Sequence, residues 1–128
     1  MKNLKFSNQI TIKAKSLFLP DKSNFEKPLY FFMYKIEIIN EGSEQVQLLT
    51  RHWDIQDANG DVNVVNGEGV IGNKPILNPN EMFEYTSYCP LKTDFGSMKG
   101  FYTFSKKNGD MFKSLIPEFS LIVPNNIN

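Results

Sequence analysis

Residues 51–72 read RHWDIQDANGDVNVVNGEGVIG and predict a strand, a tight turn, a second strand and a glycine-rich loop. Asn59-Gly60 lies between two β-rich runs, and a type I′ turn needs positive φ at both central residues, which this pair tolerates. We therefore expect a β-hairpin here. The loop that follows contains Gly67, Gly69 and Gly72, at the spacing of a phosphate-binding fingerprint.

Upstream of the hairpin, residues 30–40 carry the strongest strand signal in the chain. Five large apolar residues alternate on one face of this segment: Tyr30, Phe32, Tyr34, Ile36 and Ile38. The other face becomes polar in its middle, so we place this strand centrally, with the aromatic and aliphatic face toward the core.

The remaining segments complete an all-β pattern. Residues 10–18, 46–57, 62–65, 82–88, 97–105 and 111–123 are predicted strands, with loops at 19–28, 66–81 and 89–96. In the 46–57 strand we expect Leu49, Trp53 and Ile55 in phase, with Arg51 among them. Pro90 is expected to end a strand, and Pro117 to mark an edge strand or a change of sheet. These features predict an antiparallel β-sandwich of seven to nine strands.

Length, charge and cysteine content narrow the class of protein. A chain of 128 residues fits one domain, taken as residues 1–128, and its net charge of zero gives no reason to expect nucleic acid or an anionic membrane as partner. Cys89 is the single cysteine, which suits a reducing cytoplasm. No segment resembles a signal peptide or a membrane span, so we expect a soluble cytoplasmic protein.

The glycine loop has two interpretations, an anion-binding site and a purely structural role. Gly67-Glu68-Gly69-Val70-Ile71-Gly72 matches a dinucleotide-binding fingerprint in letters, but Pro75 and Pro79 forbid the helix that such a site requires. A backbone nest could still bind phosphate or pyrophosphate, with Gly67, Glu68, Gly69 and Gly72 as candidates. Alternatively, the glycines supply positive φ and close backbone approach in a crossing between strands.

Carboxylates near the hairpin form a second candidate site. Asp57, Asn59, Asp61 and Glu68 occupy the spacing of oxygen ligands in an EF-hand loop, although Val62 replaces its required glycine. The turn alone explains Asp57, Asn59 and Asp61, since these residue types favour tight turns. The candidate metal site is therefore the weaker reading.

No catalytic residues and no cofactor are predicted. His52 would need a nucleophile such as Cys89, and if Trp53 faces the core, His52 lies on the outer face instead. Leu91 and Phe95 are apolar residues in a predicted loop, so they either dock a partner or cap the core.

The sequence resembles the ApaG family, also called CorD, over nearly its whole length. The matching segments are YFFMYKIEIIN (30–40), LTRHWDIQDANG (49–60), GEGVIG (67–72), Pro75, LNP (77–79), FEYTS (83–87), GSMKG (96–100) and IPEF (116–119). The chain departs from the family pattern at Asn80, where glycine is usual, and at Tyr88, where a small residue is common.

This resemblance implies a fibronectin type III- or immunoglobulin-like sandwich. Because no base–nucleophile or metal-triad set surrounds the glycine loop, we expect a non-enzymatic module that binds a protein. In bacteria the family is tied to cobalt resistance and magnesium efflux, and to a neighbouring diadenosine-tetraphosphate hydrolase. Related domains occur in eukaryotic F-box and polymerase-interacting proteins. The glycine motif matches one proposed to bind pyrophosphate, so the alternative function is binding of pyrophosphate or a dinucleotide polyphosphate, with or without enzymatic activity on nucleotides. The partner and the oligomeric state are not predicted.

Overall fold

Eight β-strands account for most of the chain in a computed structural model that describes residues 4–24, 26–27 and 29–124. In chain order the strands are β1 (Ile10–Phe18), β2 (Tyr30–Asn40), β3 (Val46–Asp57), β4 (Val62–Glu68), β5 (Ile76–Leu77), β6 (Met82–Leu91), β7 (Phe95–Lys106) and β8 (Met111–Ile122). A short 3-10 turn at Pro20–Lys22 lies in the predicted 19–28 loop, and Phe25 and Pro28 of that loop lie outside the described residues.

The strands form two antiparallel sheets, which confirms the predicted sandwich. One sheet has the order β1-β2-β6, and the other has the order β4-β3-β7-β8, with β5 paired to β3. β2 is central, and four of its five predicted core residues are buried: Phe32, Tyr34, Ile36 and Ile38. Tyr30 is partly buried and packs against the same core.

The two sheets are closed on one side and open on the other. On the closed side β1 meets β8, where the Ser16 hydroxyl donates to the carbonyl of Ser120 at 2.6 Å. Residues 5–7 also bridge β8 in parallel, through the Phe6–Lys113 pair. The open side therefore lies between β6 and β4, the opposite edge strands of the two sheets.

The hairpin predicted at Asn59-Gly60 is present, and a second hairpin joins β7 to β8. The predicted type I′ turn is wrong, because Gly60 has positive φ and Asn59 does not. The amide N–H of Gly60 donates to the carbonyl of Asp57 at 3.1 Å, and Gly60 has φ of 88°. The second turn places Gly109 at φ of 93° between Lys106 and Asp110. In each case glycine occupies a left-handed position that a side chain would strain.

The phase predicted for β3 is wrong in its first half. Leu48 and Val46 are buried, whereas Leu49 is only partly buried, because the register with β7 shifts between Leu48 and Thr50. Such a bulge adds one residue and reverses the inward and outward alternation. Beyond it, Trp53 is buried as predicted, and Arg51 lies on the same face.

Two predicted loop boundaries are also wrong. β4 runs to Glu68, so the first residues of the predicted 66–81 loop are strand, and Ile76–Leu77 pairs with β3. Likewise β6 continues through Pro90 to Leu91. Pro90 is tolerated because β6 is an edge strand, where a missing N–H on the solvent side breaks no ladder bond. Pro117 lies in edge strand β8, as predicted.

Candidate functional site

The open side of the sandwich holds a cleft of about 630 Å³ between β3 and β4 on one wall and β6 on the other. We call this the open-side cleft. Its walls are mainly apolar, and its polar groups come from one arginine, one lysine, two aspartates and several neutral side chains. The lining residues are Tyr34, Arg51, Trp53, Ile55, Asp57, Asp61, Val62, Asn63, Val65, Ser87, Tyr88, Cys89, Pro90, Leu91, Lys92 and Met98.

Arg51 is a charged group that lines the open-side cleft. It pairs with Gly67 across the β3–β4 ladder, and its Nη1 donates to the carbonyls of Glu68 at 3.0 Å and Gly69 at 2.9 Å. Among the described residues no carboxylate lies within 4.0 Å of its guanidinium. The side chain is half-buried, so its charge is only partly solvated.

Gly67 is glycine because the Arg51 guanidinium lies directly over it. A Cβ built at Gly67 would lie 2.5 Å from Nη2 and 2.6 Å from Cζ of Arg51. The backbone of Gly67 has ordinary β geometry, since it is a paired residue of β4 and is not among the positive-φ glycines. The glycine therefore serves close packing of an arginine at this position, and not an unusual turn.

Three tyrosine hydroxyls lie close enough to Arg51 for its positive charge to affect their pKa values. Burial raises the pKa of Tyr34, Tyr85 and Tyr102, and the positive charge of Arg51 only partly offsets that rise. Tyr85 and Tyr102 share a hydrogen bond across the core, and Tyr34 makes a side-chain hydrogen bond with Ser87. These hydroxyls are therefore neutral hydrogen-bonding groups at physiological pH.

Two further groups near the cleft bear on its chemistry. Trp53 is buried, and its Nε1–H has no acceptor among the described residues. Cys89 is buried as well, and desolvation raises the pKa of its thiol to about 11. Because the thiolate is the reactive form, Cys89 is an inert core residue at neutral pH.

The structure separates the three glycines of the predicted anion loop. Gly67 lies within β4, while Gly69 and Gly72 follow it with φ of 61° and 79°. The amide N–H of Gly69 already donates to the carbonyl of Leu49, and Val70 and Asn73 exchange backbone hydrogen bonds with each other. Glu68 is exposed and pairs with Lys74 at 2.6 Å, which lowers the pKa of its carboxyl. Anion binding by this loop stays a prediction.

The structure does not bring together the residues predicted for the carboxylate metal site. Asp57 Oδ1 accepts hydrogen bonds from the amides of Asn59 and Asp61, so its carboxylate caps the turn. Glu68 lies at the far end of β4, which is about 20 Å away at the usual rise per strand residue. Within the described residues, no group of three or more His, Cys, Asp or Glu side chains is suitably placed to hold a metal ion.

His52 lies on the outer face of its sheet, as predicted. Its ring stacks on Phe101 with centroids 4.7 Å apart, and its nitrogens contact Asn66 Oδ1 at 2.6 Å and Asp54 Oδ1 at 3.2 Å. Cys89 faces the core from the other sheet. The Cys–His pair considered from the sequence is therefore not formed.

Leu91 and Phe95 have different environments, although the sequence suggested a common role. Leu91 is 5% exposed, belongs to the core and ends β6, which corresponds to the core-capping alternative. Phe95 is 52% exposed at the start of β7, next to residues 92–94, which connect the two sheets. A docking role for Phe95 stays a prediction.

Comparison with known proteins identifies the family. Residues 20–106 match the family model of the ApaG domain. Protein ApaG of Methylorubrum populi is 48% identical over 115 residues, which are 90% of this chain and 88% of that protein. Protein ApaG of Anaeromyxobacter dehalogenans is 43% identical over 119 residues, covering 93% of this chain and 94% of that one. The chain belongs to the ApaG domain family.

Solved structures agree with this ApaG assignment. A crystal structure of a Bordetella pertussis protein named ApaA superposes with a TM-score of 0.88 at 39% identity, covering 97% of this chain and all of that one. A mutant Bacteroides uniformis β-glucuronidase 2 contains a region with a TM-score of 0.51 at 11% identity, which shows a shared fold alone. No helix with the length and apolar character of a membrane span occurs in the described part of this ApaG chain.

Sequence reasoning missed Arg51 as a site residue of this ApaG domain. The sequence contained the relevant pattern: Arg51 lies two residues before Trp53 in an alternating strand, so both side chains lie on the core-facing side of β3. A charged residue at such a position is unusual unless a function or a specific partner retains it. The open-side cleft itself was not predictable, since it depends on how far β4 and β6 lie apart.

Proposed function

We propose that this ApaG domain protein is a non-enzymatic module that binds a protein partner at the open-side cleft, in the cytoplasm. The supporting observation is the half-buried residue Arg51, which lines a mainly apolar cleft and has no carboxylate within 4.0 Å of its guanidinium among the described residues. Removing a charge from water is unfavourable unless an opposite charge compensates it. A partner carboxylate is the group that would do so.

The chemistry of the remaining side chains favours binding over catalysis. Nucleophilic catalysis needs a base within hydrogen-bond reach of a hydroxyl or thiol. The ring nitrogens of His52 contact an amide oxygen and a carboxylate instead, and the raised pKa of the Cys89 thiol keeps it protonated. The tyrosine hydroxyls around Arg51 have raised pKa values for the same reason, namely burial.

Any role in cobalt or magnesium balance is proposed to be indirect. Cobalt prefers imidazole and thiolate ligands, and the single histidine and single cysteine of this chain lie on different sheets, one on an outer face and one in the core. A binding module could instead influence ion efflux through the protein that it holds.

Site-specific photo-crosslinking tests the location of the partner. A benzophenone side chain would replace Tyr88, which is 56% exposed at the rim of the cleft, and in a matched control Leu17, which is 55% exposed on the far edge strand β1. We expect a discrete crosslinked protein from position 88 and none from position 17. Equal crosslinking from both positions would contradict binding at the cleft.

A hydrolysis screen tests the absence of catalysis. Purified protein would be assayed with phosphomonoesters and with dinucleotide polyphosphates, alongside the His52→Ala and Glu68→Ala variants. We expect no turnover above the rate of a buffer control. Turnover by the wild-type protein that either substitution abolishes would refute the non-enzymatic assignment and support the nucleotide alternative.

A further inference from the structure

The free edge of β4 is defined by its hydrogen-bond alternation. At one end of the β3–β4 ladder the amide of Asp57 donates to the carbonyl of Asp61, and at the other end the amide of Gly69 donates to the carbonyl of Leu49. Antiparallel ladders alternate, so odd-numbered residues of β4 bond to β3. The backbone N–H and C=O groups of Val62, Val64 and Asn66 therefore point away from the sheet, and we call this row the β4 edge.

The other edge strands of more than two residues carry features that discourage pairing with another chain. β1 has Lys13 and Lys15, β6 has Pro90, and β8 has Pro117 and a bulge opposite Lys99. Charges, prolines and bulges are the usual protections of exposed edges.

The β4 edge has none of these features. Residues 62–67 read VNVVNG, without charge, proline or bulge, and they pair with β3 in continuous register. Val62 and Val64 are 54% and 51% exposed. An uncharged, β-branched, regular edge is the kind of surface to which an extended peptide adds as a further strand.

Charge then decides what kind of peptide fits. The β4 edge ends where Nη1 of Arg51 binds the carbonyl of Glu68, so the guanidinium lies at the Glu68 end of the row. A strand that adds along β4 passes the mouth of the open-side cleft, whose opposite wall is β6. A carboxylate on that strand can meet Arg51 only near the Glu68 end.

We propose that β4 binds an extended segment of a partner protein by antiparallel strand addition, with an acidic residue at the N-terminal end of the segment paired to Arg51. The antiparallel direction is the more stable pairing, and it brings the N-terminal end of the segment to the Glu68 end of β4. This inference rests on the proposed protein-binding function and names the surface and the chemistry of the partner.

The test begins with a random seven-residue peptide library displayed on phage and selected against the full chain. We expect enriched peptides with an acidic residue near the N-terminal end, followed by alternating β-branched residues. Selection against Arg51→Glu should instead enrich a basic residue at that place. Absence of enriched peptides, or enrichment without the acidic position, overturns the inference.

Fluorescence anisotropy then measures the binding of one enriched peptide to the wild-type protein and to two variants at Val64. Val64→Pro removes an outward N–H and spares the ladder to β3, whereas Val64→Thr keeps that N–H and alters only the side chain. We expect Val64→Pro to weaken binding at least about tenfold and Val64→Thr to change it less than about threefold. Equal binding by wild type and Val64→Pro overturns strand addition while leaving a protein-binding function elsewhere intact.

A double-mutant cycle of binding then combines Arg51→Gln with a peptide that has Gln in place of its acidic residue. Each single change should weaken binding about tenfold, and the two together should weaken it hardly more, because both remove the same ion pair. Independent effects would overturn the assignment to Arg51. Light scattering of the free protein tests whether a second copy of this chain occupies the β4 edge. A dimer that Val64→Pro abolishes would overturn the proposal that a segment of a partner protein binds there.

Discussion

Replacing Gly67 by alanine should destabilise the fold only because Arg51 lies over it. A Cβ at position 67 would lie 2.5 to 2.7 Å from the guanidinium, so the arginine must move and lose its bonds to the carbonyls of Glu68 and Gly69. Hydrogen bonds that involve a charged group contribute about 1.5–3 kcal/mol each when buried. Since Arg51 is only half-buried, we expect Gly67→Ala to lower the free energy of unfolding by about 1–3 kcal/mol in total.

Urea unfolding of a double-mutant cycle measures this effect. With Arg51→Met as background, Gly67→Ala should cost nothing, or should stabilise by up to about 1 kcal/mol, as alanine does relative to glycine in a strand. The coupling free energy should therefore exceed about 1 kcal/mol. The same loss of stability in both backgrounds would refute the close-packing explanation of Gly67.

The other two glycines of the motif serve as internal controls. A Cβ at Gly69 would lie 2.2 Å from the backbone oxygen of Asn73, which cannot move as a side chain can, and its φ is also positive. At Gly72 nothing lies within 4 Å of such a Cβ, so only the left-handed φ of 79° opposes alanine, at about 1–2 kcal/mol. We expect Gly69→Ala to be the most damaging of the three, with neither control coupled to Arg51.

Three further outcomes follow from the fold. Asn40→Ala should lower the free energy of unfolding by about 2–4 kcal/mol in urea, because the buried Asn40 amide serves the carbonyls of Glu44 and Leu77 and the N–H of Gly42. Stability should fall between about pH 9 and 11, because the pKa of Cys89 rises on folding from 9.0 to about 11 and the thiol ionises in that window only when the chain is unfolded. Thermal melts across this pH range should show that Cys89→Ala removes about 2–3 kcal/mol of the loss. A pH profile that the substitution leaves unchanged would contradict the raised pKa. Cobalt titrated calorimetrically into the free chain should show no micromolar binding, and such binding would contradict an indirect role in ion balance.

Sequence patterns sufficed for the parts of the fold governed by local rules. Alternation in residues 30–40 gave both bounds of β2 and its buried face, and Asn59-Gly60 gave the central hairpin. Errors occurred where tertiary pairing overrides local preference. The bulge after Leu48 reversed the phase of Leu49, and the edge position of β6 allowed its strand to continue through Pro90.

The candidate site was less predictable than the fold, for geometric reasons. The spacing of Asp57 and Glu68 matched that of ligands in an EF-hand loop, but β4 places Glu68 at its far end, away from Asp57. Glycine spacing suggested an anion-binding nest, but it did not indicate that Gly67 makes room for an arginine. The role proposed for Arg51 depends on the cleft between β4 and β6, and sequence periodicity does not indicate the distance between two sheets.

Amide hydrogen exchange of β4, followed by NMR in the free protein and with a saturating enriched peptide, tests the central claim most directly. In the free protein the amides of Asn63 and Val65 should exchange slowly, because they bond to β3, and those of Val64 and Asn66 should exchange rapidly. Bound peptide should slow the exchange of Val64 and Asn66 selectively. Protection of these two amides in the free protein, or peptide-induced protection confined to other strands, would contradict the account.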